Sequence, residues 1–274
     1  MPEIGNRIVK ADFNLIYESF DALQSESYNL SIQTESDRLS FCIFNAIVKK
    51  NVVVRSYPLY SVGDLHALVN ECNVIFENND LLRLMYKSSG HLWISPRCTL
   101  VPEHLYDPHE ADVYLTFNHR AIVGELTMQN HIKSARLYSV FSCPQTLVDL
   151  LRRFQPNITC YHHATPLIES VFTRISSSDE IGLAVYFYSN CLDIVVVDKN
   201  QLLFYNTFQI TAPEDSVYYL AGVSNLFNIN LPSTKLLYAG NFEHIPPEIA
   251  ILEKYVESIV ENNFFNLINL YGCE

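Results

Sequence analysis

The sequence predicts an α/β protein made of two halves that repeat one pattern, with mixed sheets and flanking helices. Residues 28–60 and residues 182–210 each favour three β-strands joined by two short turns, because alternating apolar residues lie between clusters of turn-forming residues. A helix with a capping signal follows each stretch. Few residues are identical between the two copies, so the repeat is one of pattern.

Length and composition are those of a globular protein with ample core material. The chain has 274 residues, 49% of them hydrophobic, and this length favours two domains. Its 30 acidic and 18 basic residues give a formal net charge of −12. Because nucleic acids and anionic membranes attract clustered Lys and Arg, the sequence argues against both as partners.

The cysteines and the apolar segments indicate a cytoplasmic protein. The seven cysteines form no C-x-x-C pair and lie mostly inside apolar runs, which favours reduced, buried thiols. No stretch approaches the roughly 20 apolar residues of a membrane span, and the N-terminal residues lack the apolar core of a secretory signal. We therefore expect no membrane insertion.

The first half begins with residues 1–27, which we predict to be a lead-in segment of extended or short helical structure. Three strands follow up to Tyr60, with turns at residues 35–38 and 48–51. Ser61-x-x-Asp64 resembles a capping box, and an apolar stripe lies behind it at helical spacing. We assign this stripe to the core: Leu65, Leu68, Val69, Cys72, Ile75 and Phe76.

The middle of the chain is predicted to alternate short strands with helices. Helices are expected from Asp107-Pro108, from Pro144 and from Pro166, because proline is favoured in the first turn of a helix. Short strands are expected between and before these helices, within residues 91–102, 124–131, 136–142 and 158–163.

The second half starts after residues 174–180, which have a linker-like composition. In its first strand, Tyr186, Phe187 and Tyr188 place aromatic rings on both faces, so we expect both faces to be buried. Thr211-x-x-Glu214 is expected to cap the following helix. A strand is predicted to follow, then a helix from Pro247 that extends past Tyr255 to Val260, and a final strand.

The order of elements, βββαβα in duplicate, resembles ribonuclease-H-like folds and their paired form, the actin-like ATPases. The segment "LLYAGNFEHIPPEI" resembles the loop that follows a strand in the pilus-assembly and cell-division branch of that fold. Residues near Val101-Pro102, "ELTMQNHI" and "RLYSVFS" resemble the inserted subdomain of that branch. More closely, the chain resembles the bacterial domain-of-unknown-function family 3822 from about Tyr28 to its end, which implies an actin-like ATPase fold without an assigned activity.

This resemblance implies a domain division. We expect a first ribonuclease-H-like domain with the inserted subdomain over residues 28–165, and a second ribonuclease-H-like domain over residues 166–274. It also implies two phosphate loops, one at the first turn of each half. In an active member, an Asp on the first strand holds Mg²⁺ through water, and a Gly lets backbone N–H groups approach the phosphates.

Both loops of this chain depart from the active pattern. Gln33 and Thr34 occupy the positions of the acid and the glycine, and Glu35 and Asp37 follow, so two carboxylates would face a triphosphate. In the second loop, Tyr186 to Tyr188 replace the Asp and Gly, and Ser189-Asn190 only form a turn. Gly240-Asn241 keeps part of the adenine-side loop, although a turn after a strand explains Gly240 equally well.

Other chemistry is less consistent with the sequence. The densest group of metal-ligand types is His104, Asp107, His109, Glu110 and Asp112, which we interpret as a solvated loop and helix start. His162 and His163 are adjacent at the end of a predicted strand, so we expect their side chains to face opposite sides and not to share a metal ion. We expect one of them to be a buried histidine with its hydrogen bonds satisfied. Cys143 precedes a helix, which can activate a thiol, but no partner base is identifiable, so a capping or packing role is the preferred interpretation.

These observations lead to three hypotheses. The first is a non-catalytic actin-like protein that binds an unidentified protein partner and has a degenerate nucleotide cleft at Gln33, Thr34, Glu35, Ser189, Asn190, Gly240 and Asn241, with no cofactor and no metal. The alternative is a divergent nucleotide-binding protein that uses Gly240-Asn241 and the Glu35/Asp37 loop with a metal ion. Assembly into a homodimer or a filament is the third. ATP hydrolysis is not expected, because positioning and charge neutralisation supply nearly all of phosphoryl-transfer catalysis.

Overall fold

The computed structural model describes residues 10–60, 63–175, 181–199, 201–239 and 247–261. The strands in chain order are β1 (Phe13–Ile16), β2 (Asn29–Thr34), β3 (Arg38–Asn45), β4 (Lys50–Pro58), β5 (Ser88–Trp93), β6 (Cys98–Pro102), β7 (Glu125–Ile132), β8 (Leu137–Pro144), β9 (Thr159–His162), β10 (Gly182–Tyr188), β11 (Cys191–Asp198), β12 (Gln201–Gln209), β13 (Lys235–Ala239) and β14 (Ser258–Glu261). The α-helices are α1 (Leu65–Glu77), α2 (Ala111–Asn118), α3 (Gln145–Phe154), α4 (Ala164–Ile175), α5 (Pro213–Leu226) and α6 (Pro247–Leu252).

The chain divides into two compact units. The first takes the residues up to Thr99 together with Asp107–Gln129 and Val140–His163. The second takes Leu100–Tyr106, Asn130–Ser139 and the residues from Ala164 onward. A three-stranded sheet has the order β6-β8-β7.

The first unit contains a six-stranded sheet with the order β1-β4-β3-β2-β5-β9. Its meander β2-β3-β4 is antiparallel, whereas β5 and β9 are added in parallel. β1 lies in the predicted lead-in segment and pairs antiparallel with β4 at the sheet edge. Helices α1 and α3 pack on the core of this unit, where the rings of Phe76 and Phe154 lie 5.0 Å apart.

The second unit repeats this arrangement. Its five-stranded sheet has the order β12-β11-β10-β13-β14, with an antiparallel meander followed by two parallel strands. The order β4-β3-β2-β5-β9 of the first unit is the same, so the predicted duplication is confirmed. Residues of α5 and α6 join alternate residues of β10 and β11 in one core, while α4 contacts the same two strands. All of β10 is therefore buried.

The residues that cap α1 and α5 lie one or more positions after the predicted ones. Asp64 is the N-cap of α1, and its carboxylate accepts a 3.1 Å hydrogen bond from the amide of Ala67, whereas Ser61 lies outside the described residues. In α5, Asp215 rather than Glu214 closes the helix start. Its carboxylate accepts hydrogen bonds from the amides of Thr211 and Ala212.

The predicted last helix is too long. α6 ends at Leu252, and Ser258–Glu261 form β14, which pairs in parallel with β13. The β-branched residues Ile259 and Val260 fit a strand better than a helix, so tertiary pairing decides their structure. The predicted final strand lies outside the described residues. Over the part of the chain that is described, no helix is both long enough and apolar enough to cross a bilayer.

Candidate functional site at the first turn of each unit

The three parallel strands of the first unit end at one edge of its sheet. The neighbours β2, β5 and β9 run in the same direction and finish at Thr34, Trp93 and His162. In open α/β sheets, ligands bind at the carboxyl ends of parallel strands. This edge, together with the turn that follows β2, is therefore the candidate site of the first unit.

The turn after β2 is closed by its own hydrogen bonds. The side-chain amide of Gln33 donates a 2.7 Å hydrogen bond to the Glu35 carboxylate, and both side chains are buried. The backbone amide of Glu35 donates to the carbonyl of Arg38 at 2.8 Å, which spans the turn. No glycine occurs from residue 33 to residue 38. A phosphate at this turn would meet the negative charge of the Glu35 carboxylate. The Glu35 amide could not donate to it, because that amide already donates to the Arg38 carbonyl.

The side chains of Thr34 and His91 contact each other near this edge of the sheet. The Thr34 hydroxyl lies 3.1 Å from Nε2 of His91, and both side chains are fully buried. Burial lowers the pKa of His91 to about 3, because the charged imidazolium would lose its solvation. His91 is therefore neutral at physiological pH and offers no positive charge to a phosphate.

His162 and His163 lie side by side, which corrects the expectation that they face opposite sides. Their ring centroids are 4.3 Å apart, and both side chains are fully buried. The strand ends at His162, so the alternation of side chains does not extend to His163. Nε2 of His162 lies 2.7 Å from the carbonyl oxygen of Ser95, and Nδ1 of His163 accepts a 3.5 Å hydrogen bond from the Ser95 amide.

The environment of His162 keeps its imidazole uncharged. Burial and the neighbouring His163 lower the pKa of His162 well below its usual value.

The nearby cation Arg97 forms an ion pair with Glu125, with 3.4 Å between nitrogen and oxygen. Its guanidinium also donates to the Ser142 hydroxyl and to the Arg120 carbonyl. The positive charge of Arg97 is thus balanced within the first unit.

The aromatic strand of the second unit is buried as predicted. Tyr186, Phe187 and Tyr188 are each less than 10% exposed, and the rings of Tyr186 and Tyr188 stack 5.2 Å apart. The turn that follows consists of Ser189 and Asn190, which are exposed. Ser189 has φ = 48°, a left-handed conformation that favours glycine.

Asp193, on the strand after this turn, is fully buried and acts as an acceptor for hydroxyl groups. Its carboxylate accepts hydrogen bonds from Tyr188 at 3.1 Å, Tyr205 at 2.8 Å and Thr207 at 2.6 Å. Burial and the Asp193 charge raise the pKa of Tyr188, so this hydroxyl stays protonated and remains a donor. The cluster ties β10, β11 and β12 together.

Neither the hydroxyl cluster around Asp193 nor the Thr34–His91 contact is predictable from the sequence. Both depend on partners from different strands, which no local spacing reveals. Gly240 and Asn241, which the sequence placed at the adenine side of a cleft, lie outside the described residues.

The remaining candidate residues are a group of metal-ligand types around His109 and the single thiol of Cys143. His104, Asp107, His109, Glu110 and Asp112 are exposed, and the Asp107 carboxylate accepts a hydrogen bond from the His109 amide at a helix start. Among the described residues, no group of three His, Cys, Asp or Glu side chains could hold a metal ion. Cys143 is buried, and burial raises its pKa well above the usual value, so its thiol is not activated.

Comparison with known proteins agrees with this architecture. A Bacteroides thetaiotaomicron protein of actin-like ATPase fold and unknown function is 24% identical, with a TM-score of 0.81 over 93% of this chain and 99% of that one. A chain of a PilM–PilN type IV pilus biogenesis complex is 11% identical, with a TM-score of 0.59 over 87% of this chain and 89% of that one. No curated protein sequence matches the chain.

These similarities show the actin-like ATPase fold, as the order of predicted elements implied. Residues 17–259 match the family described as protein of unknown function (DUF3822), which covers most of the chain. The predicted family is therefore confirmed, and the chain belongs to the DUF3822 family of proteins with the actin-like ATPase fold.

Proposed function

We propose that this chain is a non-catalytic protein of actin-like ATPase fold that acts by binding a protein partner, as an adaptor or scaffold. The observation that carries the proposal is the turn after β2, where Gln33 and Glu35 are paired and buried and no glycine is present. In this proposal, the nucleotide site of the fold is degenerate, and the protein uses the shape of the fold to bind its partner.

The chemistry of phosphoryl transfer supports this proposal. Catalysis depends on positioning the phosphates and neutralising their charge. At the first turn, the Glu35 carboxylate adds negative charge and its amide is bonded to Arg38. At the second turn, Asp193 is held by three hydroxyl groups that would have to be displaced before it could bind a hydrated metal ion.

A protein partner is the second part of the proposal. One structure of the same fold is that of a PilM–PilN complex, in which a chain of this architecture is found with another protein. The net charge of −12 disfavours nucleic acid as the partner. Six cysteines in the described residues form no disulfide, which is consistent with a reducing, cytoplasmic environment.

The rival function is nucleotide binding by an unorthodox site that uses Gly240-Asn241 and the acidic first turn with a metal ion. Thermal melting of the full chain with ATP or ADP, each with and without Mg²⁺, separates the two. We expect no shift of the melting temperature and no release of phosphate from ATP above that of a protein-free blank. Stabilisation at low micromolar nucleotide would contradict the proposal.

Self-association is a separate proposal with its own test. Light scattering over a wide range of protein concentration measures the molar mass in solution. A homodimer doubles the molar mass of 31.4 kDa as the concentration rises. A constant monomer mass would remove the homodimer from consideration and leave the binding of a different protein in place.

A further inference from the structure

An open aromatic groove lies between β12 and α5 in the second unit. It has a volume of about 460 Å³. Phe204 and Phe208 line it from the strand, and Val217, Tyr218, Tyr219 and Leu226 are among the residues that line it from the helix. Tyr218 and Leu226 are each more than 60% exposed. We call this feature the α5–β12 groove.

The rings in the groove are already ordered by contacts with one another. The Phe208 and Tyr219 rings stack 4.4 Å apart, and Phe204 stacks with Phe208 at 6.3 Å. At the other end, Phe204 meets the Phe227 ring edge-on at 5.8 Å. Such an apolar surface does not require rearrangement before an apolar segment can pack on it.

Gly222 keeps the groove open. It lies in the interior of α5, where glycine costs about 1 kcal/mol relative to alanine. Its φ is not in the left-handed region, and a Cβ added to it would meet no atom within 4 Å. Neither backbone conformation nor packing within the chain accounts for this glycine. A side chain there would instead occupy space in the groove that Gly222 lines.

The strand beside the groove is the edge of its sheet. In the described residues, β12 pairs with β11 on one side and with no strand on the other. An edge strand offers backbone donors and acceptors to an extended chain, which can add to the sheet while alternate side chains enter a neighbouring pocket.

The charges around the groove indicate what kind of segment fits. β12 carries no charged side chain, and neither do residues 216–226 of α5. Glu214 and Asp215 lie where α5 begins, beside the end of β12, and Lys199 precedes the start of β12. The centre therefore suits uncharged side chains, and the end at Glu214 suits a basic one.

We propose that the α5–β12 groove binds an extended segment of a partner protein, which adds to the sheet at β12, places aromatic or aliphatic side chains in the groove and has a Lys or Arg at the end beside Glu214. This proposal rests on the protein-binding function proposed above and assigns the site and the chemistry of the partner.

A phage-displayed library of random twelve-residue peptides tests the proposal even though the partner is unidentified. Selection is carried out on the full chain, with counter-selection on Gly222→Leu, which fills the groove with a helix-compatible side chain. We expect enriched peptides to have apolar residues at alternate positions and a basic residue at one end. Labelled synthetic copies should bind the wild type at least tenfold more tightly than they bind Gly222→Leu or Tyr218→Ser.

Control variants separate loss of the site from loss of the fold. Gly222→Ala should melt at or above the temperature of the wild type and still weaken binding. Tyr17→Ser removes a half-exposed tyrosine from the first unit and should bind as the wild type does. Glu214→Lys should weaken the basic peptides specifically.

Three results would overturn the groove proposal. One is the absence of any peptide that distinguishes the wild type from Gly222→Leu, and another is enrichment of acidic peptides. The third is a wild-type dimer that Gly222→Leu dissociates, which would make a second copy the occupant. Nucleotide titration tests the proposed function independently of the groove. A chain that binds neither peptide nor nucleotide overturns the groove alone, and one that binds both overturns only the degenerate nucleotide site.

Discussion

The side-chain amide of Gln33 donates a hydrogen bond to the carboxylate of Glu35, 2.7 Å away. In an active actin-like ATPase, an acid and a glycine would be expected at the positions of Gln33 and Thr34. Gln33 and Glu35 are buried at the carboxyl end of β2. The hydrogen bond between Gln33 and Glu35 therefore stabilises the turn from within, and its contribution to the free energy of unfolding can be measured.

Gln33→Ala should destabilise the fold by about 1–3 kcal/mol, because a buried acceptor loses a donor. Gln24 is a matched control, since its amide donates to the carboxylate of Asp21 in an exposed segment. Gln24→Ala should change the free energy of unfolding by less than about 0.5 kcal/mol. Urea denaturation measures both. Equal effects of the two substitutions would show that the Gln33–Glu35 contact contributes nothing specific.

His91 should make stability depend on pH in the acid range. Its pKa in the folded state is about 3, below the value of about 6.5 in an unfolded chain. The unfolded state therefore binds a proton first as the pH falls. The resulting stability is fully present above about pH 6.5 and is lost toward pH 3, by about 1.4 kcal/mol per pH unit for one histidine.

The variant His91→Leu isolates this contribution. It should show a shallower loss of unfolding free energy between pH 6.5 and pH 4 than the wild type, while His162 still contributes in the same direction. Urea denaturation at each pH gives both slopes. Parallel curves for the two proteins would mean that folding does not lower the pKa of His91.

Asp193 should be a strong stabiliser of the second unit. Asp193→Ala leaves the hydroxyls of Tyr188, Tyr205 and Thr207 without this acceptor, at a cost of about 2–4 kcal/mol. Asp198, at the partly exposed end of the same strand, is the control, and Asp198→Ala should cost less than about 0.5 kcal/mol. Chemical denaturation that showed a similar small cost for Asp193 would contradict a structural role for the hydroxyl cluster.

Ser189→Gly should stabilise the protein without restoring a phosphate loop. The left-handed φ of 48° strains a residue with a side chain by about 1–2 kcal/mol, and glycine relieves that strain. Asn190→Gly, at a position without positive φ, should instead lower stability by about 0.5–1 kcal/mol. Thermal and urea denaturation distinguish these opposite signs. A loss of stability in Ser189→Gly would show that the serine side chain makes a compensating contact.

The fold was largely predictable because it is encoded in local periodicity. Two meanders, each followed by a helix, specify the repeat, and aromatic residues on both faces of one strand predict its burial at Tyr186–Tyr188. Predictions failed where tertiary pairing decided the outcome. Ile259 continued a helical spacing, yet it lies in a strand beside Leu236. The His162–His163 pair depended on where a strand ends, which the sequence does not specify to one residue.

The candidate sites were only partly predictable. The lack of glycine at residues 33–38 is visible in the sequence itself. The buried hydrogen bond between Gln33 and Glu35 is visible only in the structure. The α5–β12 groove was not anticipated, because Phe204 and Phe208 are consistent with an ordinary strand facing a core. Only the position of α5, with Gly222 in its interior, leaves their rings partly uncovered.

The loss of nucleotide binding is tested most directly by isothermal titration calorimetry of the full chain with ATP in the presence of Mg²⁺. A non-catalytic protein with a degenerate site predicts no saturable heat at nucleotide concentrations up to the millimolar range. The same result should hold for Ser189→Gly, which supplies a glycine but no cation. A saturable signal with low micromolar affinity in the wild type would show that the nucleotide site is functional.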